Sequence, residues 1–344
     1  MKDLSNHAQK IATKLFADLV EREAFLEKII KGSSGSPSIA WLKDRPAETP
    51  FEALTPFSWQ PLWIDRVRVE DRVGKHALHE SGAYYSLDIS SVFSMVPVVE
   101  TVAKIPCMID MCASPGGKSV LAWRHASPEI SVCNEVIRKR AAQLISNLKR
   151  CQIRPVVVTS RDTSIFSEAV PKAFPLVVVD APCSGQSLVV RGMDSPGCWN
   201  PATINLNLKR QRRILANSAS TVAKGGYLSY TTCTFSIEEN EGVGEWFIKN
   251  FPDFSPVTVD RLSNYRSIYT DRAMYRLFPQ HGEGAGAFTV LFKRDGEADS
   301  SEYFGIDDLD KVSVIWSLGV PGQEKVRADH ILNRDRNKLK KGRR

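Results

Sequence analysis

CMIDMCASPGGKS, residues 107–119, passes within thirteen residues from an apolar run to a glycine turn and then to helix-compatible residues. Small residues at such a turn let the backbone approach a ligand, and the following helix presents free N–H groups to it. The stretch is not the phosphate loop GxxxxGK[ST], nor the dinucleotide turn GxGxxG. Its texture recurs along the chain. Apolar runs stand at ISVCN (130–134), PVVVT (155–159), PLVVVD (175–180), GYLSYTT (226–232) and GAFTVLF (286–292). Helical patterns separate most of them. Near-continuous apolar strands alternating with helices predict an α/β fold with a parallel sheet covered on both faces.

Ahead of this region, residues 8–31 carry apolar side chains at helical spacing (Ile11, Leu15, Leu19, Phe25, Leu26, Ile29), which predicts one or two helices. GSSGSP (32–37) reads as a break. Residues 38–98 are mixed, with a candidate strand around Leu62–Val69, and suggest a small α+β module. After residue 294, DGEADSS is linker-like. From Lys325 to Arg344 there are nine Lys/Arg against two Asp/Glu, a local charge that equals the whole chain's formal +7. A basic tail of this kind is suited to nucleic acid, or it is a solubilising end. The expected division is a module over 1–98, a catalytic domain over 99–294, and a linker with basic tail over 295–344.

The 344 residues are 42% hydrophobic and 25% charged, the balance of a globular protein. No apolar run reaches membrane-span length, and MKDLSNHAQKIATKLF has neither the apolar core nor the cleavage site of a secretory signal. Seven cysteines, none spaced as CxxC and none clustered with the six histidines, argue against a disulfide framework or a metal site. A reducing, cytoplasmic location is expected, with no membrane partner.

The tips of the successive strands carry carboxylates. Glu135 follows the second strand, eighteen residues beyond Gly117, where an acidic side chain typically receives ribose hydroxyls. Asp162 follows the third, within reach of an adenine amino group. With no phosphate loop, the set favours S-adenosylmethionine over a nucleoside triphosphate.

The fourth strand opens into DAPCSG (180–185) and the fifth into YTTCTF (230–235), so Cys183 and Cys233 stand at adjacent strand ends on the ligand-binding edge. Ser236-Ile-Glu-Glu239 has the form of a capping box, which predicts a helix starting beside Cys233 and a favoured thiolate there. A buried thiol is the ordinary fate of one such cysteine. Two, one of them preceded by Asp-Ala-Pro, point to chemistry.

Taken together, DMCASPGGKS, NEVIRKR with the later NLKR, DAPCSG and YTTCTFSIEENE resemble the successive motifs of the RNA cytosine-5 methyltransferase family, often called the Sun family. GAYYSLDISS (82–91) and QRRILANSA (211–219) extend the likeness, which covers roughly residues 80–294. It implies a Rossmann-like class I methyltransferase with a mostly parallel seven-stranded sheet, monomeric, acting on RNA, with ribosomal RNA favoured and transfer RNA possible. It also implies that Cys233 attacks C6 of cytosine, that Cys183 assists release of the adduct, that Asp180 holds the base, and that Lys118 lies near it. Cofactor contacts carry over to Cys112, Ala113, Ser114, Pro115, Gly116, Gly117, Lys118, Glu135, Arg140, Asp162 and Asp180. The chain departs from the family pattern at SIAWLKDR (38–45), at Leu87-Asp88 and at Val92-Phe93-Ser94.

Competing readings are a DNA cytosine-5 methyltransferase, in which Cys183 attacks, and a non-catalytic RNA-binding or ribosome-assembly factor on the same fold. A redox or metal protein is poorly served by the cysteine spacing. RGMDSPGCWNP (191–201) is an active-site loop with Trp199 free to stack on a base, or a surface loop with a buried ring.

Overall fold

Five of the apolar runs become the parallel centre of one large sheet. In the computed structural model, which describes residues 5–32, 37–297 and 299–322, these are β4 (Cys107–Asp110), β5 (Ile130–Asn134), β6 (Val156–Thr159), β7 (Phe174–Asp180) and β8 (Val222–Thr232). The sixth run is β11 (Ala287–Arg294), which lies antiparallel to β8. The spatial order is β10-β11-β8-β7-β4-β5-β6-β12, where β10 is Tyr275–Leu277 and β12 is Val314–Leu318. A short β9 (Phe254–Pro256) pairs with β11 and makes nine strands. The expected seven are extended by two edge additions, β9 and β12.

Side chains along the central strands alternate between two cores, although nearly all are apolar. Met108, Leu176 and Val178 join one cluster, while Ile109, Val177 and Val179 join the other. Period-2 alternation therefore serves two buried faces. The first face is covered by α4 (Ile89–Thr101), α5 (Gly117–Ala126) and α6 (Arg138–Arg150), and the second by α7 (Thr163–Ala169), α9 (Pro201–Thr221) and α10 (Glu241–Asn250). Helix α6 shows how the pattern works: Ala141, Leu144 and Leu148 are buried along one stripe, and its basic residues face outward.

β4 pairs with both β5 and β7, so the direction of winding reverses there. The loops after β4 and β7 diverge at that point and leave a crevice at the carboxyl edge, where α/β sheets bind ligands.

The N-terminal region divides into two parts. Helices α1 (Asn6–Leu15) and α2 (Leu19–Lys31), capped by Ser5 and Asp18, fulfil the two-helix expectation. They pack against the catalytic-edge loops, with Phe25 edge-on to Phe235 at 5.0 Å and to Phe278 at 6.3 Å. Strands β1 (Pro37–Trp41), β2 (Ile64–Arg66) and β3 (Tyr84–Asp88) form a separate antiparallel sheet in the order β2-β1-β3, with the short α3 (Ala77–Glu80) preceding β3.

The linker expected from residue 295 is folded over much of its length. Phe304 stacks on Phe174 at 5.0 Å, α11 (Leu309–Val312) follows, and β12 adds antiparallel to β6. The basic stretch 325–344 lies outside the described residues. Among the described residues, no helix is long and apolar enough to cross a membrane.

Candidate active site

The glycine turn after β4 is built as its composition suggests. Gly116 caps α5 with φ 116°, a left-handed value that a side chain rarely adopts, and a Cβ there would meet Leu144 at 3.3 Å. No side chain caps α5, so its first N–H groups remain available. The turn is pinned from beneath. Ala113 N–H donates to Asn134 O at 2.8 Å, Arg140 Nη2 donates to Ser114 O at 2.7 Å, Ser114 Oγ donates to Arg140 O at 2.9 Å, and Asn147 Nδ2 donates to Pro115 O at 2.8 Å.

Beside this turn, Glu135 is buried. Its Oε1 accepts from Ile137 N at 2.9 Å, and its Oε2 faces Arg140 Nη1 at 3.4 Å, across a half-exposed guanidinium. Val136 and Ile137, next in sequence, are 57% and 51% exposed, an apolar surface at the rim of the crevice. Asp162 caps α7 through Ser164 N at 3.1 Å and pairs with Arg213 at 3.0 Å, so it stands apart on the α9 side. Below them, Asp110 is fully buried and accepts from Ser119 Oγ at 2.5 Å and Cys112 N at 3.1 Å. Burial pushes its pKa up to about 7. Cys112 is also driven well up, by burial and by the carboxylates of Asp110, Asp180 and Glu135.

The second group converges next to it. Lys118 Nζ lies 2.8 Å from Asp180 Oδ2, and Thr231 Oγ1 donates to Asp180 Oδ1 at 3.1 Å. Cys183 and Cys233 bring their sulfurs to 3.4 Å. The hydrogen bond from Cys183 lowers the Cys233 thiol against the opposing effect of burial, with help from Lys118. The same bond, with burial, raises Cys183 well above its ordinary value. These directions make Cys233 the more readily ionised of the two thiols. Burial would lower Lys118, but the charge and hydrogen bond of Asp180 outweigh it and hold the ammonium above its usual pKa.

The helix expected to start beside Cys233 begins later. Ser236 Oγ accepts from Glu239 N at 3.2 Å, which is half of a capping box, but residues 237–240 form turns and α10 starts at Glu241. The other half is missing because the Glu239 carboxylate turns inward. Its Oε2 accepts from Ser184 N and Gln211 Nε2, both at 2.9 Å. The thiolate of Cys233 is therefore favoured by Cys183 and Lys118 rather than by a helix terminus.

Glu239 belongs to a set of bonds that fasten the two cysteine loops together. Ser184 Oγ meets Thr234 Oγ1 at 2.6 Å, Phe235 N donates to Gln186 Oε1 at 2.9 Å, and Ser187 N donates to Cys233 O at 3.0 Å. Reading the sequence missed this clamp and the role of Gln211; the co-occurrence of DAPCSG, QRRILANSA and SIEENE was the only available signal. Trp199 is half-buried and lies parallel to Phe235 at 6.4 Å. A narrow pocket opens at Cys233, walled by Lys118, Ser187, Thr232, Asp88, Arg191 and Gly286 among others. Among the described residues, no group of three His, Cys, Asp or Glu side chains is arranged to hold a metal.

The family model described as 16S rRNA methyltransferase RsmB/F matches residues 102–293. A ribosomal RNA small subunit methyltransferase F of Klebsiella pneumoniae (strain 342) is 32% identical over 256 residues, covering 72% of this chain and 53% of that protein. The protein of the same name from Escherichia coli O17:K52:H18 is 30% identical over 249 residues, covering 70% and 52%. The chain thus spans about half the length of these curated relatives. Among solved structures, a methyltransferase homologue from Pyrococcus horikoshii superposes with TM-score 0.67 at 18% identity, over 85% of this chain and 100% of that one. NSun6 from Pyrococcus horikoshii with SFG gives TM-score 0.65 at 16% identity, over 85% and 99%. At these identities the structural likeness speaks for the fold.

Proposed function

The chain belongs to the RsmB/F family of 16S rRNA methyltransferases, and from that premise we propose that it methylates C5 of a cytosine in RNA with S-adenosylmethionine as donor. Small-subunit ribosomal RNA is the favoured substrate and transfer RNA the second candidate. The observation that carries the reading is the sulfur pair of Cys183 and Cys233 at 3.4 Å, beside the Lys118–Asp180 ion pair.

The residues present fit the cofactor. The uncapped start of α5 and the turn Cys112–Lys118 offer backbone donors, and exposed Val136 and Ile137 offer an apolar bed for a purine. Glu135 has one oxygen engaged only by Arg140 at 3.4 Å, long enough to yield to a ribose hydroxyl. Asp162 is the adenine partner in this reading, and reaching the amino group requires it to loosen its pair with Arg213. S-adenosylmethionine, when bound, supplies an electrophilic methyl group.

Cytosine C5 is too poor a nucleophile to take that group unaided. The Cys233 thiolate forms a bond to C6, and the C5–C6 π electrons become available at C5. Asp180 accepts from the exocyclic amino group, and the Lys118–Asp180 pair offers a proton to N3 as charge develops there. Once C5 is substituted, a water takes the C5 proton, N3 returns its proton to the Lys118–Asp180 pair, and the Sγ–C6 bond breaks with its electron pair going back to Cys233 as the thiolate. Cys183, protonated and 3.4 Å away, assists that collapse. The base must stand outside its stack for C6 to be attacked from the ring face. Residues 1–98 help to grip the RNA beside the 99–294 catalytic domain.

The test is methyl transfer from labelled S-adenosylmethionine to RNA, mapped by bisulfite sequencing of RNA from cells with and without the protein. A Cys233→Ala variant that methylates at the normal rate would overturn the mechanism. Loss of covalent capture in Cys183→Ala alone would favour the reading in which Cys183 attacks. Failure to bind S-adenosylmethionine in calorimetry would favour a non-catalytic assembly factor.

A further inference from the structure

A second cavity lies next to the pocket at Cys233. It measures about 500 Å³ and runs between the turns at 69–75 and the end of β3, with Arg68, Arg72, Lys75, Asp88 and Arg191 in its walls. Asp88 and Arg191 also wall the pocket that holds Cys233 and Lys118, so the two spaces adjoin across that pair.

The charges in this cleft do not cancel. Arg68 is paired with Glu52 at 2.6 Å. Arg191 Nε lies 4.0 Å from Asp88, whose other oxygen caps α4 through Ser90 N at 2.9 Å. Arg72 and Lys75 are exposed and have no carboxylate within ion-pair distance among the described residues. Arg72 sits between two short 3-10 turns with φ 46° and ψ 42°, a left-handed backbone unusual for arginine. The fold keeps two uncompensated cations in the wall of a cleft that adjoins the pocket at Cys233.

We propose that this cleft binds the phosphodiester backbone of the RNA strand next to the target base, with Arg72 and Lys75 on the phosphates and the base passing beyond Asp88 and Arg191 toward Cys233. The inference rests on RNA being the substrate. The cleft has flexible exposed cations rather than buried polar groups, which suits a chain of phosphates held for position rather than for sequence. A cavity of this volume is within the range of ligand sites, and its place beside the pocket at Cys233, with Asp88 and Arg191 shared between the two walls, selects a polymer over a free anion.

The test uses the full-length protein and a fluorescein-labelled single-stranded RNA, with affinity read by anisotropy from about 50 to 300 mM salt. Arg72→Gln/Lys75→Gln is expected to weaken binding about tenfold at the low-salt end. The slope of log affinity against log salt should flatten by about 1.4, the value for two lost phosphate contacts on a single strand. Arg72→Lys/Lys75→Arg should restore both, and Lys75→Gln alone should give about half the change in slope. Unchanged affinity and slope in a double variant that melts like the parent overturns the proposal, as does a parent protein that does not bind RNA. Methyl transfer is measured on the same preparations. A parent that binds with the expected slope but transfers no methyl group brings down the reaction, while the cleft stands.

Discussion

Cys233 and Cys183 have the same covalent structure and opposite acid–base character, and the difference comes from their neighbours. The bond between the two sulfurs has the largest effect on both, lowering Cys233 and raising Cys183; Lys118 and Ser187 add to the first against burial and Asp180, and burial and Glu239 add to the second. In Lys118→Met, the rate of Cys233 alkylation by iodoacetamide should keep its shape against pH but move to higher pH, because a cation no longer favours the thiolate. Cys183→Ala should accumulate a covalent protein–RNA adduct, visible as a slow band on denaturing gels, and Cys233→Ala should show none. Asp110 gives a separate pH effect. It ionises near 3.8 when unfolded and near about 7 when folded, because burial opposes its charge. Its contribution to stability is full below about pH 4 and is lost as pH rises through about 7, a change of roughly 4 kcal/mol. Asp110→Asn should therefore flatten the fall in stability between about pH 4 and 7, measured by urea unfolding. Cys183 and Cys233 stood out in the sequence by type and spacing, and the family resemblance added Lys118. The relative acidity of the two thiols did not, because it depends first on the meeting of the two sulfurs from separate loops, with Lys118 and Glu239 adding to it.

At the scale of elements, the site depends on buttresses behind the cysteines. Arg276 on β10 is buried against Glu241 at the start of α10, with Nε to Oε1 at 2.6 Å, and its Nη1 donates to Phe235 O at 3.0 Å. One guanidinium thus ties a strand, a helix and the loop of Cys233. Arg276→Ala leaves a buried carboxylate unpaired and should cost about 3–5 kcal/mol in chemical denaturation. Glu239→Ala leaves the Ser184 N–H without its acceptor and Gln211 Nε2 with Pro182 O alone, loosening the register of the two cysteine loops at a cost of about 1–3 kcal/mol for the unsatisfied amide. Its activity should fall further than its stability, read as the rate at a temperature where the variant remains folded. The central strands were legible because both faces are buried and their apolar runs are nearly continuous. The strands β9, β10 and β12 were missed because three to five residues give too little pattern. The capping box at Ser236 misled for a physical reason: Glu239 finds donors across the fold that outcompete its own backbone.

For the whole molecule, the N-terminal helices belong mechanically to the catalytic edge. Phe25 is fully buried between Phe235 and Phe278, so Phe25→Ala should cost about 3–5 kcal/mol and loosen the loop of Cys233 at the same time. Thermal unfolding with and without S-adenosylmethionine should show the loss in both states. Removing residues 325–344 should weaken RNA binding and flatten its salt dependence if that basic stretch meets phosphate. What the sequence alone determined is the alternation of apolar strands and helices, the glycine turn, the acidic strand tips and the two cysteine motifs. Each is local, written within a dozen residues and enforced by backbone geometry and burial. Only the tertiary structure decided that the two sulfurs meet, that Lys118 meets Asp180 across two loops, that α1 and α2 pack on the loop of Cys233, and that Arg72 and Lys75 line a cleft adjoining the pocket at Cys233. Those depend on contacts between residues dozens to hundreds of positions apart, which arise only when the sheet has set its strand order.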